Sequence, residues 1–195
     1  EYTWEYRKNN MILNFKEKKT NIFKNRPDTG EKLVQKFFNS LDSNEKSEKS
    51  EKDVGRFFVD VGANHPVIDS QSYHLEVLGW EGLLIEPLKE YTDLLKSKRS
   101  NKVIQVACSS KKNHDKILDI IVAGVHSTLN TKPIAVGVNS NKTQKVKCKT
   151  LDHVLKENNI QKNFDFLSVD IEGHEMEMFD GFSLNYWMPK LIILE

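Results

Sequence analysis

Four acidic side chains stand at or near the carboxyl ends of apolar, strand-like runs of this sequence: Asp60, Glu86, Asp170 and Glu172. A carboxylate accepts hydrogen bonds from hydroxyl and ammonium groups, and it takes up a proton when it acts as a general base. The carboxyl ends of parallel strands meet at one edge of a sheet, where open α/β folds bind their ligands. The acids therefore predict one polar cleft that binds a ligand and acts on it.

The stretch Arg56–Pro87 predicts the strand-helix-strand unit that positions the first two acids. Phe57–Val61 and Gly82–Ile85 are apolar runs of the kind that forms parallel strands buried on both faces. Between them, Gly79 ends a helix for which Ser70 or Ser72 supplies the cap. The apolar residues of this helix are Tyr73, Leu75, Val77 and Leu78.

The loop after the first strand favours a nucleoside as the ligand. Gly62 lets the backbone approach a ligand closely, and Glu86 can accept both hydroxyl hydrogens of a ribose. The next residues are Ala63, Asn64, His65 and Pro66. They lack the later glycines of the dinucleotide fingerprint G-x-G-x-x-G, which disfavours a pyrophosphate and therefore NAD or FAD.

A second acidic cluster follows the predicted fourth strand, Phe164–Val169. Asp170 leaves this strand, and Glu172, His174 and Glu175 come directly after it. Two alternatives stay open. Glu172 and Glu175 are also the charges that a helix start favours, and His174, a candidate general base like His65, is also a residue type that is often merely hydrogen-bonded in a loop.

Three segments together resemble a known family. VDVGAN, LGWEGLLIEP and SVDIEGHEMEMFDGF are similar to motifs of the FkbM-type S-adenosylmethionine-dependent methyltransferases, over roughly residues 30–195. One position departs from the family pattern. His65-Pro66 stands where the family commonly has an acidic or polar residue followed by glycine.

The resemblance implies a fold, a cofactor and roles for the site residues. The fold is α/β and doubly wound, a mostly parallel sheet with helices on both faces, of the Rossmann-like class I methyltransferase type. S-adenosyl-L-methionine is the cofactor, and the acceptor is an oxygen of a sugar, a glycan or another small metabolite. Asp170, Glu172 and His174 are the expected catalytic residues. The expected cofactor-binding residues are Asp60, Gly62, Ala63, Asn64 and Glu86, with Cys108 and Ser109 beside the adenine.

Two other functions remain as alternatives. A non-catalytic nucleoside-binding domain of the same fold is favoured by the departure at His65-Pro66. A dinucleotide-dependent oxidoreductase is disfavoured by the missing glycines.

The remaining segments predict the rest of the core. An apolar stripe predicts a helix over 29–41, and the charged run 43–53 predicts a loop. Further strands are predicted at 103–108, 117–123, 145–150 and 191–194, and a helix at 151–158. Residues 1–28 show no sustained period. We therefore expect an N-terminal extension over 1–54 and a methyltransferase core over 55–195, with the fold cut after its fifth strand and further residues beyond Glu195.

Composition limits the partners and the cellular compartment that we expect for the protein. Lys and Arg number 29 and Asp and Glu 28 in 195 residues, so no overall field favours nucleic acid or an anionic membrane. No apolar run approaches the ~20 residues that span a bilayer, and no signal peptide is visible. The missing apolar run predicts a soluble protein. Cys108 and Cys148 match no zinc spacing, so we expect no metal site. They are predicted to be reduced thiols, which indicates a cytoplasmic protein. A chain that begins at Glu1 is expected to be a fragment or a processed product, and its oligomeric state is left open.

Overall fold

A six-stranded parallel sheet forms the centre of the molecule. The computed structural model describes residues 11–14, 30–44, 55–124, 127–129 and 142–194. In chain order the elements are β1 (Met11–Asn14), α1 (Gly30–Asn44), β2 (Phe57–Val61), α2 (Tyr73–Val77), β3 (Glu81–Ile85), α3 (Lys89–Lys98), β4 (Lys102–Ile104), β5 (Ala107–Cys108), β6 (Ile117–Ile121), β7 (Thr143–Lys149), α4 (Leu151–Glu157), β8 (Phe166–Val169), α5 (Glu175–Asp180), α6 (Leu184–Trp187) and β9 (Leu191–Leu194). The strand order of the sheet is β1-β9-β8-β2-β3-β4.

The strand order reverses beside β2. From β2 the chain builds outward through β3 and β4, and it later returns to add β8 and β9 on the other side. Such a reversal opens a crevice at the carboxyl ends of the central strands, where doubly wound folds bind ligands. The predicted fold class is therefore confirmed, and the switch point lies between β2 and β8.

Helices cover both faces of the sheet because its strands are apolar on both faces. Phe58, Leu84 and Phe166 pack with α1, α2 and α3 on one face. Val59, Leu83 and Leu167 pack with α4, α5 and α6 on the other. Adjacent residues of a strand point to opposite faces, so continuous apolar runs are what this double burial requires.

A three-stranded sheet, ordered β5-β7-β6, stands beside the main one. We predicted a single strand over 103–108, and that prediction is wrong. β4 ends at Ile104 after pairing with β3, and Ala107 and Cys108 then pair with β7 instead. A single polar residue, Gln105, interrupts the apolar run at the break, and the apolar residues on both sides are in or near a core, which is why the sequence did not reveal the break.

Two further details differ from the sequence-based predictions. Met11–Asn14, within a segment that showed no period, pairs in parallel with β9 at the edge of the sheet. Two of the four apolar residues predicted for the helix at α2 are exposed, since Val77 and Leu78 are 68% and 44% accessible while Leu75 is buried. The predicted loop over 43–53 lies almost entirely outside the described residues. Within the described ranges, no helix is long and apolar enough to cross a membrane.

Candidate active site

A cleft opens at the carboxyl ends of β2, β3 and β8, where the reversal of strand order places it. It holds about 550 Å³ of space free of protein atoms, part of it open to solvent. Seven of the predicted site residues line it: Gly62, Asn64, Glu86, Cys108, Asp170, Glu172 and His174. Asp60, Ala63 and Ser109 are placed behind its wall.

Gly62 brings two walls of the cleft into direct contact. Its φ is +88°, and a Cβ added there would lie 1.8 Å from the Asp170 carbonyl oxygen. A side chain at this position would meet backbone, which cannot move aside as a flexible side chain would. Gly62 therefore serves the packing of β2 against the β8 end as well as any approach to a ligand.

Glu86 sits at the end of β3 and holds the loop that follows β2. Its Oε2 accepts the Asn64 amide and its Oε1 accepts the Leu88 amide, each at 2.9 Å. Burial raises the pKa of Glu86 to about 7, against the effect of these two amides, and the nearby Asp60 charge raises it further. Each carboxylate oxygen keeps a second lone pair for a ligand hydroxyl.

Asn64 carries an unsatisfied group at the cleft. Its Oδ1 is buried and has no hydrogen-bond partner within the described part of the chain. Asn64 also has a φ of +46°, a conformation that asparagine adopts more readily than most residues. A buried acceptor without a donor costs free energy, and a ligand donor would remove that cost.

Asp60 is buried behind the loop and does not line the cleft. It lies on the same sheet face as Phe58, and its Oδ2 accepts the Ser72 hydroxyl at 2.5 Å. Burial raises the pKa of Asp60 to about 6, while Ser72 and the Arg99 charge act in the opposite direction. Contact between Asp60 and a cofactor stays a prediction, because the geometry shows this acid bonded to Ser72, the residue before α2.

Two side chains whose role here was not predicted, His65 and Arg99, hold the loop over 62–72 by hydrogen bonds to its backbone. His65 Nδ1 accepts the amides of Val67 and Ile68 at 3.2 and 2.9 Å. Nδ1 is therefore the unprotonated nitrogen of the ring, and His65 serves as a turn cap. Arg99 Nη1 donates to the Pro66 carbonyl oxygen at 3.1 Å. The departure from the family pattern at His65-Pro66 is thus an ordered turn.

The opposite wall of the cleft is the turn between β8 and α5. Glu172 has a φ of +53° and Gly173 follows with +86°. A left-handed glutamate is uncommon and costs conformational energy, and such residues gather at functional sites. Glu175, the first residue of α5, accepts the amides of Ile171 and Gly173 at 3.3 and 3.0 Å. Glu175 therefore holds the turn, while Asp170 and Glu172 line the cleft.

His174 is held in the wall by one hydrogen bond of its ring. Its Nε2 lies 2.8 Å from Ser109 Oγ, which also accepts the Asn113 amide group at 2.9 Å. Its buried Nδ1 lies 3.9 Å from Glu177 Oε2 and has no hydrogen-bond partner among the described residues. Burial lowers the pKa of His174, with Glu177 opposing, and so favours the neutral ring.

Cys108 lines the cleft as a protonated thiol. Burial raises its pKa to about 12, so it contributes a small apolar surface there and no nucleophile. The lining residues that were not predicted as site residues include Ile120, Ser127 and Leu129, which come from β6 and the segment after it. They reach the cleft through the small sheet, whose position no local pattern reveals. In the described ranges, no group of three or more His, Cys, Asp or Glu side chains is placed to hold a metal ion.

Comparison with known proteins agrees with this geometry. The methyltransferase FkbM domain matches residues 60–195, more than half of the chain. The chain belongs to the FkbM methyltransferase family. No curated protein and no solved structure matches it significantly. The FkbM match begins at Asp60 in β2 and so contains every predicted site residue, whereas the resemblance noted in the sequence had extended back to residue 30.

Proposed function

We propose that the protein transfers a methyl group from S-adenosyl-L-methionine to an oxygen of a sugar, a glycan or another small metabolite. Membership of the FkbM family supports a methyltransferase. The observation that carries the cofactor assignment is the arrangement of Glu86 and Asn64 in the cleft. A carboxylate with free lone pairs at the end of β3 faces the ligand space together with a buried amide oxygen that has no donor.

The cleft residues fit such a cofactor. Glu86 would accept the ribose hydroxyls through the lone pairs that the Asn64 and Leu88 amides leave free. Asn64 Oδ1 would accept from an ammonium or hydroxyl group, which satisfies its buried acceptor. Cys108 and Ala107, at the end of β5, offer the apolar surface that an adenine ring prefers. When bound, the cofactor supplies a methyl group on a positively charged sulfur, ready for in-line displacement.

The acids across the cleft would act on the acceptor. An acceptor hydroxyl must lose its proton near the transition state, so a base within hydrogen-bond reach is needed. Asp170 and Glu172 both line the cleft opposite Glu86, and Glu172 is held in the left-handed conformation. Two roles suit this arrangement: one carboxylate takes the proton of the acceptor hydroxyl, and the other orients the acceptor and stabilises the positive charge that the attacking oxygen gains until that proton leaves.

His174 contributes in a different way from the base that the sequence suggested. Both of its ring nitrogens point to protein atoms, Nε2 to Ser109 and Nδ1 toward Glu177. We therefore place His174 as a wall residue that fixes the start of α5, with proton abstraction assigned to the acids. Its catalytic role stays a prediction of the sequence.

Calorimetry with S-adenosylhomocysteine and NAD, titrated in parallel, tests the cofactor assignment. We expect saturable binding of S-adenosylhomocysteine and none of NAD. Glu86→Gln should weaken binding by about 30- to 150-fold, because a lost pair of charge-assisted hydrogen bonds is worth about 2 to 3 kcal/mol. Glu90→Gln, on the outer side of α3, is the matched control and should bind normally. Equal affinity of Glu86→Gln and the wild type would refute the assignment.

A further inference from the structure

Arg99, the residue that follows α3, reaches the loop segment 62–72. The Arg99 side chain has no exposed surface, and its backbone amide closes α3 on the Leu95 carbonyl oxygen. The guanidinium is oriented by Glu76 of α2, which accepts its Nε–H. Although burial opposes it, hydrogen bonds led by the Ser100 amide lower the pKa of Glu76 to about 2.

The other nitrogens of Arg99 bind three points of the loop segment 62–72. Nη1 donates to the Pro66 carbonyl oxygen at 3.1 Å and to Ser70 Oγ at 3.3 Å. Nη2 donates to Ser72 Oγ at 3.2 Å. Ser72 in turn donates to Asp60 of β2, so the guanidinium connects α3, α2, the loop and the central strand in one buried network.

We infer that Arg99 is a positioning residue, which holds the segment 62–72 in the form that presents Gly62 and Asn64 to the cofactor before the cofactor binds. A buried ion pair adds little net stability, because desolvation offsets most of the attraction. The planar guanidinium of Arg99, however, fixes several hydrogen-bond acceptors at once, which a lysine ammonium does not do. Its three acceptors lie within seven residues of one loop, which indicates that the guanidinium controls the conformation of that loop.

The size of the effect follows from population arithmetic. If the loop without Arg99 occupies the ligand-ready form between one tenth and one hundredth of the time, the apparent affinity falls about 10- to 100-fold. The inference rests on the proposed cofactor, since affinity is its readout. A role confined to folding would instead change stability and leave the affinity of the folded protein unchanged.

The test compares Arg99 and Asp152, two side chains on opposite faces of the sheet that each bind several hydrogen-bond partners. Arg99→Met removes the guanidinium and keeps an unbranched apolar side chain. Asp152→Ala removes the acceptor that holds the Ser183 amide, the Ser183 hydroxyl and Trp187 Nε1 near α6, away from the cleft. Each variant is measured for melting temperature, for S-adenosylhomocysteine affinity by calorimetry, and for amide hydrogen exchange across residues 62–72.

Both variants should melt earlier, but Arg99→Met alone should lose about 10- to 100-fold in affinity and exchange faster over 62–72. Saturating S-adenosylhomocysteine should slow that exchange again. Arg99→Lys should lie between the wild type and Arg99→Met, and it decides the question if Arg99→Met does not fold. Folded Arg99 variants with wild-type affinity and exchange, or an equal loss of affinity in Asp152→Ala, would overturn the inference. A wild type that binds no S-adenosylhomocysteine would instead refute the proposed cofactor, and the exchange comparison would still report on the loop.

Discussion

The two walls of the cleft are built in different ways. The wall formed by the loop after β2 and by Glu86 is held at many points, with His65, Glu86 and Arg99 all bonded to its backbone. The opposite wall, the turn between β8 and α5, carries a left-handed Glu172 beside a buried His174 nitrogen without a hydrogen-bond partner in the described ranges. A pre-formed wall suits a ligand of fixed shape, and a strained wall that presents acids suits chemistry.

The largest effect expected from this difference is on turnover. Asp170→Asn and Glu172→Gln, at the strained wall, should reduce methyl transfer by about 10²- to 10⁴-fold, because each removes a candidate general base. Affinity for S-adenosylhomocysteine should change little, since the donor wall is untouched. Assays need an acceptor identified by screening with methyl-labelled cofactor. If both variants turn over normally, or lose activity only as they lose stability, the acids belong to the scaffold.

Glu86 should make the free protein sensitive to pH. Its pKa of about 7 in the fold lies above the ordinary 4.5, so the folded state binds more protons than the unfolded state between these values. Its contribution to stability therefore falls as pH rises through this window, by up to about 3 kcal/mol. Denaturant unfolding of the wild type and Glu86→Gln from pH 5 to 8 measures this. The stability advantage of the wild type should shrink with rising pH, and a constant difference would contradict the buried, titrating acid.

Gly62 joins the two walls, and its replacement should damage both. Gly62→Ala places a Cβ against the Asp170 carbonyl oxygen at a φ of +88° and should cost about 2 kcal/mol or more. Gly79→Ala is a matched control, because Gly79 has a φ of +90° with no atom within 4 Å of an added Cβ. It should cost about 1 kcal/mol from backbone strain alone. Equal losses in urea unfolding would show that the contact with Asp170 is unimportant.

The smallest effect is expected at His65. His65→Ala removes the acceptor of the Val67 and Ile68 amides, which should cost about 1 kcal/mol or less because both amides are exposed to water. The loop should keep its position through Arg99, so cofactor affinity should fall only a few-fold. Amide exchange at Val67 and Ile68 should accelerate while that at Asn64 stays slow. A loss of affinity as large as that of Glu86→Gln would mean that His65 contacts the ligand.

The sequence predicted the central strands and the acids at their ends because both have local causes. Parallel strands buried on both faces must be continuous apolar runs, and those runs end where the chain turns into the cleft. The positions of Glu86, Asp170 and Glu172 followed directly. The class of fold followed once the motifs were compared with a family.

What the sequence did not predict depends on contacts distant in the chain. Arg99 binds residues 27 to 33 positions away, and no local pattern marks a lysine-and-arginine-rich helix end as buried. The hydrogen bond of Asp60 to Ser72 was not predicted either, because it depends on the alternation of the strand, which directs this side chain to the face of the sheet that α2 covers. Strand β1 was missed because four residues give too short a pattern to show a period.

A crystal structure with S-adenosylhomocysteine bound tests the central claim most directly. We expect the ribose hydroxyls within about 3 Å of the Glu86 carboxylate, the amino-acid end beside Gly62 and Asn64, and the sulfur facing the Asp170–Glu172 turn across open space. The 62–72 loop should keep its hydrogen bonds to Glu86 and Arg99. A nucleoside bound elsewhere, or in this cleft with its ribose away from Glu86, would contradict the assignment of the two walls.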